Sequence, residues 1–139
     1  MAASSIHPEL DPFEWQRKAR EDLQLARTIV NTADFGDRFP SHVCFLCQQC
    51  VEKWLKAIIV AAGRKASRTH DVKALLDECI PMLPALSIFF GQLSWLTPFA
   101  AEVRYPNEDD VSAEDARKAI RQAEEVQRVV LEFFTKHSA

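Results

Sequence analysis

The sequence predicts an all-α protein, an antiparallel up-and-down bundle of about five helices. Apolar residues recur at helical spacing along most of the chain, and Asp, Ser, Thr and Pro stand where helices open. Gly accounts for only 3 of 139 residues, too few for the tight turns of a small β-barrel or sandwich. The length suits one hydrophobic core, so one domain is expected over residues 1–139, with residues 1–10 as a flexible N-terminal arm.

The first helix runs from Asp11 or Phe13 to about Thr32, with Trp15, Ala19, Leu23, Ala26, Ile29 and Val30 on one face. Asp11 suits a cap and Pro12 the first helical position. Asp34-Phe35-Gly36-Asp37 and Pro40-Ser41 end this helix and open the next, over about Ser41 to Ala62. There Cys44, Cys47, Cys50, Val51, Trp54, Leu55, Ile58 and Ala61 cover a broad apolar arc, which marks the centre of a bundle. Gln49, Glu52, Lys53 and Lys56 form a narrow polar stripe opposite, and Gly63 stops the helix.

Thr69 or Asp71 caps a short third helix carrying Val72, Leu75 and Leu76. A fourth is expected over about Ala85 to Arg104, kinked or divided at Pro98. Arg104-Tyr105-Pro106-Asn107 makes a stop and turn. Ser112-Ala113-Glu114-Asp115 opens the last helix, whose buried stripe is Ala116, Ile120, Ala123, Val126, Val130 and Phe133.

Composition excludes several roles. With 47% hydrophobic and 27% charged residues the chain is not largely disordered. The longest strongly apolar run, Ala57 to Ala62, falls far short of the roughly 20 residues that span a bilayer. The first residues lack the basic and apolar regions of a signal peptide, so a cytoplasmic protein is expected, without membrane association. A net charge of −3 argues against dedicated duplex-DNA binding while allowing a local basic patch.

Cys44-x-x-Cys47-x-x-Cys50 superficially resembles part of an iron–sulfur run. On a continuous helix, however, Cys44 and Cys50 lie about 9 Å apart, too far to share one metal, and all three sit within the apolar arc. Core packing is expected, with no metal and no cofactor. The stripe Gln49, Glu52, Lys53, Lys56 reads ordinarily as a solvated face with a Glu52–Lys56 pair, or as the border of a cleft offering cations to phosphate. Arg64, Lys65, Arg68 and Lys73 cluster around His70, either as a soluble loop or as a lure for phosphate. Arg104 can swing into a groove and grip phosphate while Tyr105 stacks on a base, or Arg104 can pair with Glu102 or Glu108. Phe89, Phe90 and Trp95 suit either core or interface.

In order, Gln48-Gln49-x-x-Glu52-Lys53-x-Leu55-Lys56-Ala57, Thr69-His70-Asp71 before Leu75-Leu76, Arg104-Tyr105-Pro106 and an amphipathic last helix resemble the HEPN domain (higher eukaryotes and prokaryotes nucleotide-binding). Asp22-Leu23-x-x-Ala26 fits as well, so the resemblance covers nearly the whole chain and is strongest to small, free-standing prokaryotic members. It implies a four-helix-bundle core, a homodimer with a groove near its interface, and a minimal nucleotidyltransferase as partner in a toxin–antitoxin pair. It also implies a ligand, nucleotide or RNA phosphate, bound by Arg104 and Tyr105 with Lys53, Lys56 and His70 lining the groove. Many members are metal-independent ribonucleases with an Arg-x(4–6)-His motif, in which His carries a proton and Arg meets the phosphorane charge. Here Arg104 matches, but Asp109, Asp110 and Val111 stand where His would follow. Arg64-x5-His70 has the spacing in a different place. A binding module is therefore expected first, and a ribonuclease using Arg104 with His70, or a purely protein-interaction module, second.

Overall fold

A computed structural model describes residues 7–33, 36–100 and 111–137. Its helices are α1 (Pro12–Asn31), α2 (Pro40–Ala61), α3 (Val72–Cys79) and α4 (Ala113–His137), with short 3₁₀ turns at Pro8–Leu10, Pro84–Phe89 and Ser94–Ala100. No strand occurs among the described residues. The chain is an all-α bundle, as its periodicity predicts.

Helix α1 starts where Asp11 Oδ1 accepts the Phe13 amide at 2.9 Å and Pro12 fills the first helical position. Its buried face is Gln16, Ala19, Leu23 and Ala26. Two alanines on that face let α1 lie close against α2, which makes the most extensive helix pair. Trp15, Ile29 and Val30 are half-buried at the edge of the expected stripe. In the connection to α2, a Cβ at Gly36 would collide with the Val30 carbonyl oxygen, so only glycine fits that close approach.

Helix α2 is the bundle's centre, packed by α1, α4, α3 and the Ser94–Ala100 turn. Fourteen of its 22 residues are buried, among them the expected apolar arc up to Ile58 and, from the polar side, Gln48, Glu52 and Lys56; Ala61, expected in that arc, is exposed at the helix end. Cys44, Cys47 and Cys50 lie fully inside as thiols. Burial pushes the Cys50 thiol up to about 12, so it stays protonated and packs as a small hydrophobe. The helix ends at Gly63, with φ of 81°, where Arg64 N–H reaches back to the Ile59 carbonyl at 3.2 Å.

The expected fourth helix over Ala85 to Arg104 is not α-helical. Residues 84–100 form two 3₁₀ turns separated at residues 90–93, so the division falls at Gly91 and not at Pro98. Leu86 and Phe89, then Leu93, Leu96 and Phe99, reach the core at three-residue intervals that match the three residues per turn of this tighter helix. Phe89 is core, while Phe90 and Trp95 are half-buried against it. The Trp95 indole N–H donates to Gln122 Oε1 at 2.7 Å and holds this segment on α4. Residues 101–104 lie outside the described residues.

Helix α4 opens with a reciprocal cap. The Asp115 amide donates to Ser112 Oγ at 3.0 Å, and the Ser112 amide to Asp115 Oδ2 at 3.1 Å. Ala116, Ala119, Ala123, Val126, Val129 and Val130 are buried, with Ile120 and Phe133 half-buried beside them. Among the described residues no helix is long and apolar enough to cross a membrane.

Candidate functional site

The stripe on α2 is not a solvated face. Glu52 is 4% exposed and Lys56 5%, because Trp15 from α1 and the connection between α2 and α3 cover them. These elements enclose a cavity of about 430 Å³, lined by Glu9, Trp15, Glu52, Lys56, Lys65, Ala66, Ser67, Arg68 and His70. Asp71 positions the last of these by capping α3: its carboxylate accepts the Lys73 amide at 3.0 Å, and its own amide donates to Thr69 Oγ1 at 3.1 Å.

Glu52 is the hub. Its Oε2 accepts from Lys56 Nζ at 2.8 Å, and its Oε1 accepts from Gln48 Nε2 at 3.1 Å. His70 Nδ1 lies 3.0 Å from Oε1 and 3.2 Å from Oε2. Gln48 Nε2 also donates to the His70 carbonyl at 3.1 Å, which anchors the loop itself. An ionised carboxylate only accepts, so Nδ1 carries the hydrogen and Nε2 is left as the imidazole's outward nitrogen. No hydrogen bond to Nε2 occurs among the described residues, and the His70 side chain is 61% exposed. A buried carboxylate thus holds an exposed imidazole in one tautomer and orientation.

Burial alone would raise the Glu52 pKa, but hydrogen bonds from Lys56, His70 and Gln48 outweigh it and hold the carboxyl below its ordinary range. A depressed acid contributes stability that is complete above its unfolded pKa, about 4.3, and is lost as pH falls through the folded value. Thermal melts should therefore show wild type more stable than Glu52→Gln at pH 6, with the gap closing on acidification from about pH 5 to pH 3. A gap that stays constant over that range would show that Glu52 is not the linked group.

The basic cluster divides. Lys65 and Arg68 are exposed on the cavity wall, whereas Lys73 Nζ lies 5.0 Å over the Phe90 ring, away from it. Lys56 and Glu52 neutralise each other, leaving Lys65 and Arg68 against Glu9, a positive balance in a chain of net charge −3. Lys56 Nζ also sits 5.6 Å from the Trp15 ring centroid. Lys53 is separate from this group: it pairs with Asp22 Oδ2 at 2.6 Å and lines a second cavity of about 210 Å³ with Pro8, Glu9, Glu14, Trp15 and Lys18. Arg104 and Tyr105, with Asp109 and Asp110, lie outside the described residues. His70 and Lys56 are thus brought together around Glu52, and Lys53 stands beyond Trp15.

Glu52 as hub and Trp15 as wall are not distinguished by sequence reasoning. The signal available for the first was the ladder Gln48, Glu52, Lys56, three polar residues at four-residue spacing along one line of a largely apolar helix. Among the described residues no group of three or more His, Cys, Asp or Glu is placed to hold a metal ion.

Comparison with known proteins fits this architecture. The crystal structure of TT1696 from Thermus thermophilus superposes with a TM-score of 0.72 at 22% identity, covering 88% of this chain and 97% of that one. The "Putative toxin MJ1304" of Methanocaldococcus jannaschii is 28% identical over 134 residues, 84% of each chain. Residues 13–133, from the start of α1 to near the end of α4, match the HEPN domain. The bundle and the ordered sequence landmarks meet in that match, and the chain belongs to the HEPN domain family.

Proposed function

We propose that this chain binds the phosphate of a nucleotide or of RNA, as a homodimer in the cytoplasm, beside a minimal nucleotidyltransferase in a toxin–antitoxin pair. The observation that carries the binding reading is the cavity around His70. It has a cationic rim, Lys65 and Arg68, on a chain that is acidic overall, and an imidazole presented to solvent by a buried carboxylate. The toxin setting is supported by the name of the Methanocaldococcus jannaschii relative and by HEPN membership.

In this reading Arg104 supplies the bidentate grip that family resemblance assigns to it, and Tyr105 stacks. Lys65 and Arg68 draw phosphate to the cavity that His70 lines, Lys56 holds Glu52 ionised behind them, and Lys53 flanks the site. Calorimetry with ATP tests it. Saturable binding by the wild type should be lost in Arg104→Ala with helical content unchanged, and Lys65→Ala/Arg68→Ala should bind about tenfold more weakly. Equal affinity in Arg104→Ala would remove that residue from the site, and no binding by the wild type would end the nucleotide reading.

A second reading is favoured by the Glu52–His70 contact itself. With Nδ1–H fixed on a carboxylate, Nε2 is set to accept a proton, which is the part a metal-independent ribonuclease needs.

A further inference from the structure

Two cavities meet at Trp15. The larger, about 430 Å³, holds Lys65, Arg68 and His70; the smaller, about 210 Å³, is bounded by Pro8, Lys18 and Lys53, and both share Glu9 and Trp15. The indole therefore borders both a polar chamber and a small slot.

The slot's surface is carbon. Pro8 contributes its ring, Trp15 a face, and Lys18 and Lys53 their stems, while the Lys53 ammonium is committed to Asp22 at 2.6 Å. Glu14 is likewise occupied, with Oε1 and Oε2 accepting from Arg17 at 2.9 and 3.2 Å. Trp15 is held in place as well: its indole N–H donates to the Glu9 carbonyl at 2.9 Å, so the ring offers only its apolar faces. A fixed, half-buried aromatic plane can be stacked upon with little loss of side-chain freedom.

The slot offers phosphate only the exposed Lys18 ammonium at its edge, against Lys65 and Arg68 in the other chamber, whereas its carbon surface suits a planar base. We propose that a single mononucleotide uses both: its base stacks on Trp15 in the Pro8 slot and its phosphates lie on the Lys65–Arg68–His70 side, with the ribose passing Glu9. Glu9, which lines both chambers, is the shared residue with acceptor oxygens for sugar hydroxyls. This inference rests on the phosphate-binding reading above and moves the base from Tyr105 to a subsite whose determinant is Trp15.

The test compares ATP with inorganic tripolyphosphate, a probe of similar charge without a base, on wild type, Trp15→Ala and Trp15→Phe by calorimetry. Wild type should prefer ATP by about tenfold or more, the scale of one base–aromatic stack. Trp15→Ala should bring the ratio of ATP to tripolyphosphate affinity to near unity, whatever the change in tripolyphosphate binding itself, because Trp15 also walls the phosphate chamber, and Trp15→Phe should retain most of the preference. Retained tripolyphosphate binding and an unaltered helical spectrum show that Trp15→Ala has folded. Equal affinity of wild type for the two probes, or an ATP preference that survives in Trp15→Ala, overturns the base slot and leaves the phosphate site standing. Binding of neither probe overturns both.

Discussion

Replacing Glu52 with Ala should destabilise the protein by about 3–5 kcal/mol, the usual cost of stripping one partner from a buried ion pair. Glu52 and Lys56 lie 2.8 Å apart and almost wholly buried, and Lys56 has no other carboxylate partner among the described residues. Removing the carboxylate therefore strands an ammonium beneath Trp15 and also takes the acceptor from the His70 ring, while Gln48 keeps its bond to the His70 carbonyl. Lys56→Ala should cost less, because Glu52 keeps donors from Gln48 and His70. The double replacement Glu52→Leu/Lys56→Met should recover most of the loss, since apolar side chains of similar volume need no partner in that setting. Urea titration distinguishes these outcomes: the midpoint should fall sharply for Glu52→Ala and return in the double variant, with the slope unchanged. A double variant no more stable than Glu52→Ala would place the cost in packing and not in the uncompensated charge.

That buried pair also shows how far the sequence is legible. Helices α1, α2 and α4 declare themselves because each combines a long apolar periodicity with a local start or stop: Asp11-Pro12, Gly63, and Ser112 with Asp115. Residues 84–100 mislead because 3₁₀ and α-helices both place apolar residues three apart, and a few turns of either carry the same pattern; the interruption at residues 90–93 was the distinguishing feature. In the site, the Glu52–Lys56 spacing is visible as a local pair, but its burial is not. What covers it comes from Trp15, 37 positions earlier, and from the connection after Gly63 folding back over α2. The contact of His70 with Glu52 spans 18 positions and obeys no period. Local chemistry is written in the sequence; which faces are closed by distant segments is decided by tertiary packing.

The largest functional effect is expected at His70. If the chain cleaves RNA, His70→Ala should slow EDTA-resistant cleavage by about 10²- to 10⁴-fold, the range a positioned acid–base group contributes. In that reaction a ribose 2′-hydroxyl gives its proton to Nε2, the 2′-oxygen bonds to the adjacent phosphorus, and the bond to the 5′-oxygen breaks. The proton then returns from Nε2 to the leaving oxygen, so the products are a 2′,3′-cyclic phosphate and a 5′-hydroxyl, with no water or metal consumed. Glu52 does not touch the substrate; it fixes the tautomer that leaves Nε2 free to accept, as the buried acid does in hydrolase triads. Glu52→Gln keeps an acceptor opposite Nδ1 and should therefore lose less rate than His70→Ala, whereas Glu52→Leu should approach it. Replacing the 2′-hydroxyl with hydrogen at a single cleavage position should block cutting there alone. End-group analysis of the products by gel and mass spectrometry reads each outcome. Intact RNA after prolonged incubation with wild type would dismiss the ribonuclease and leave the Glu52–His70 pair as a structural anchor that fixes the loop carrying Lys65 and Arg68.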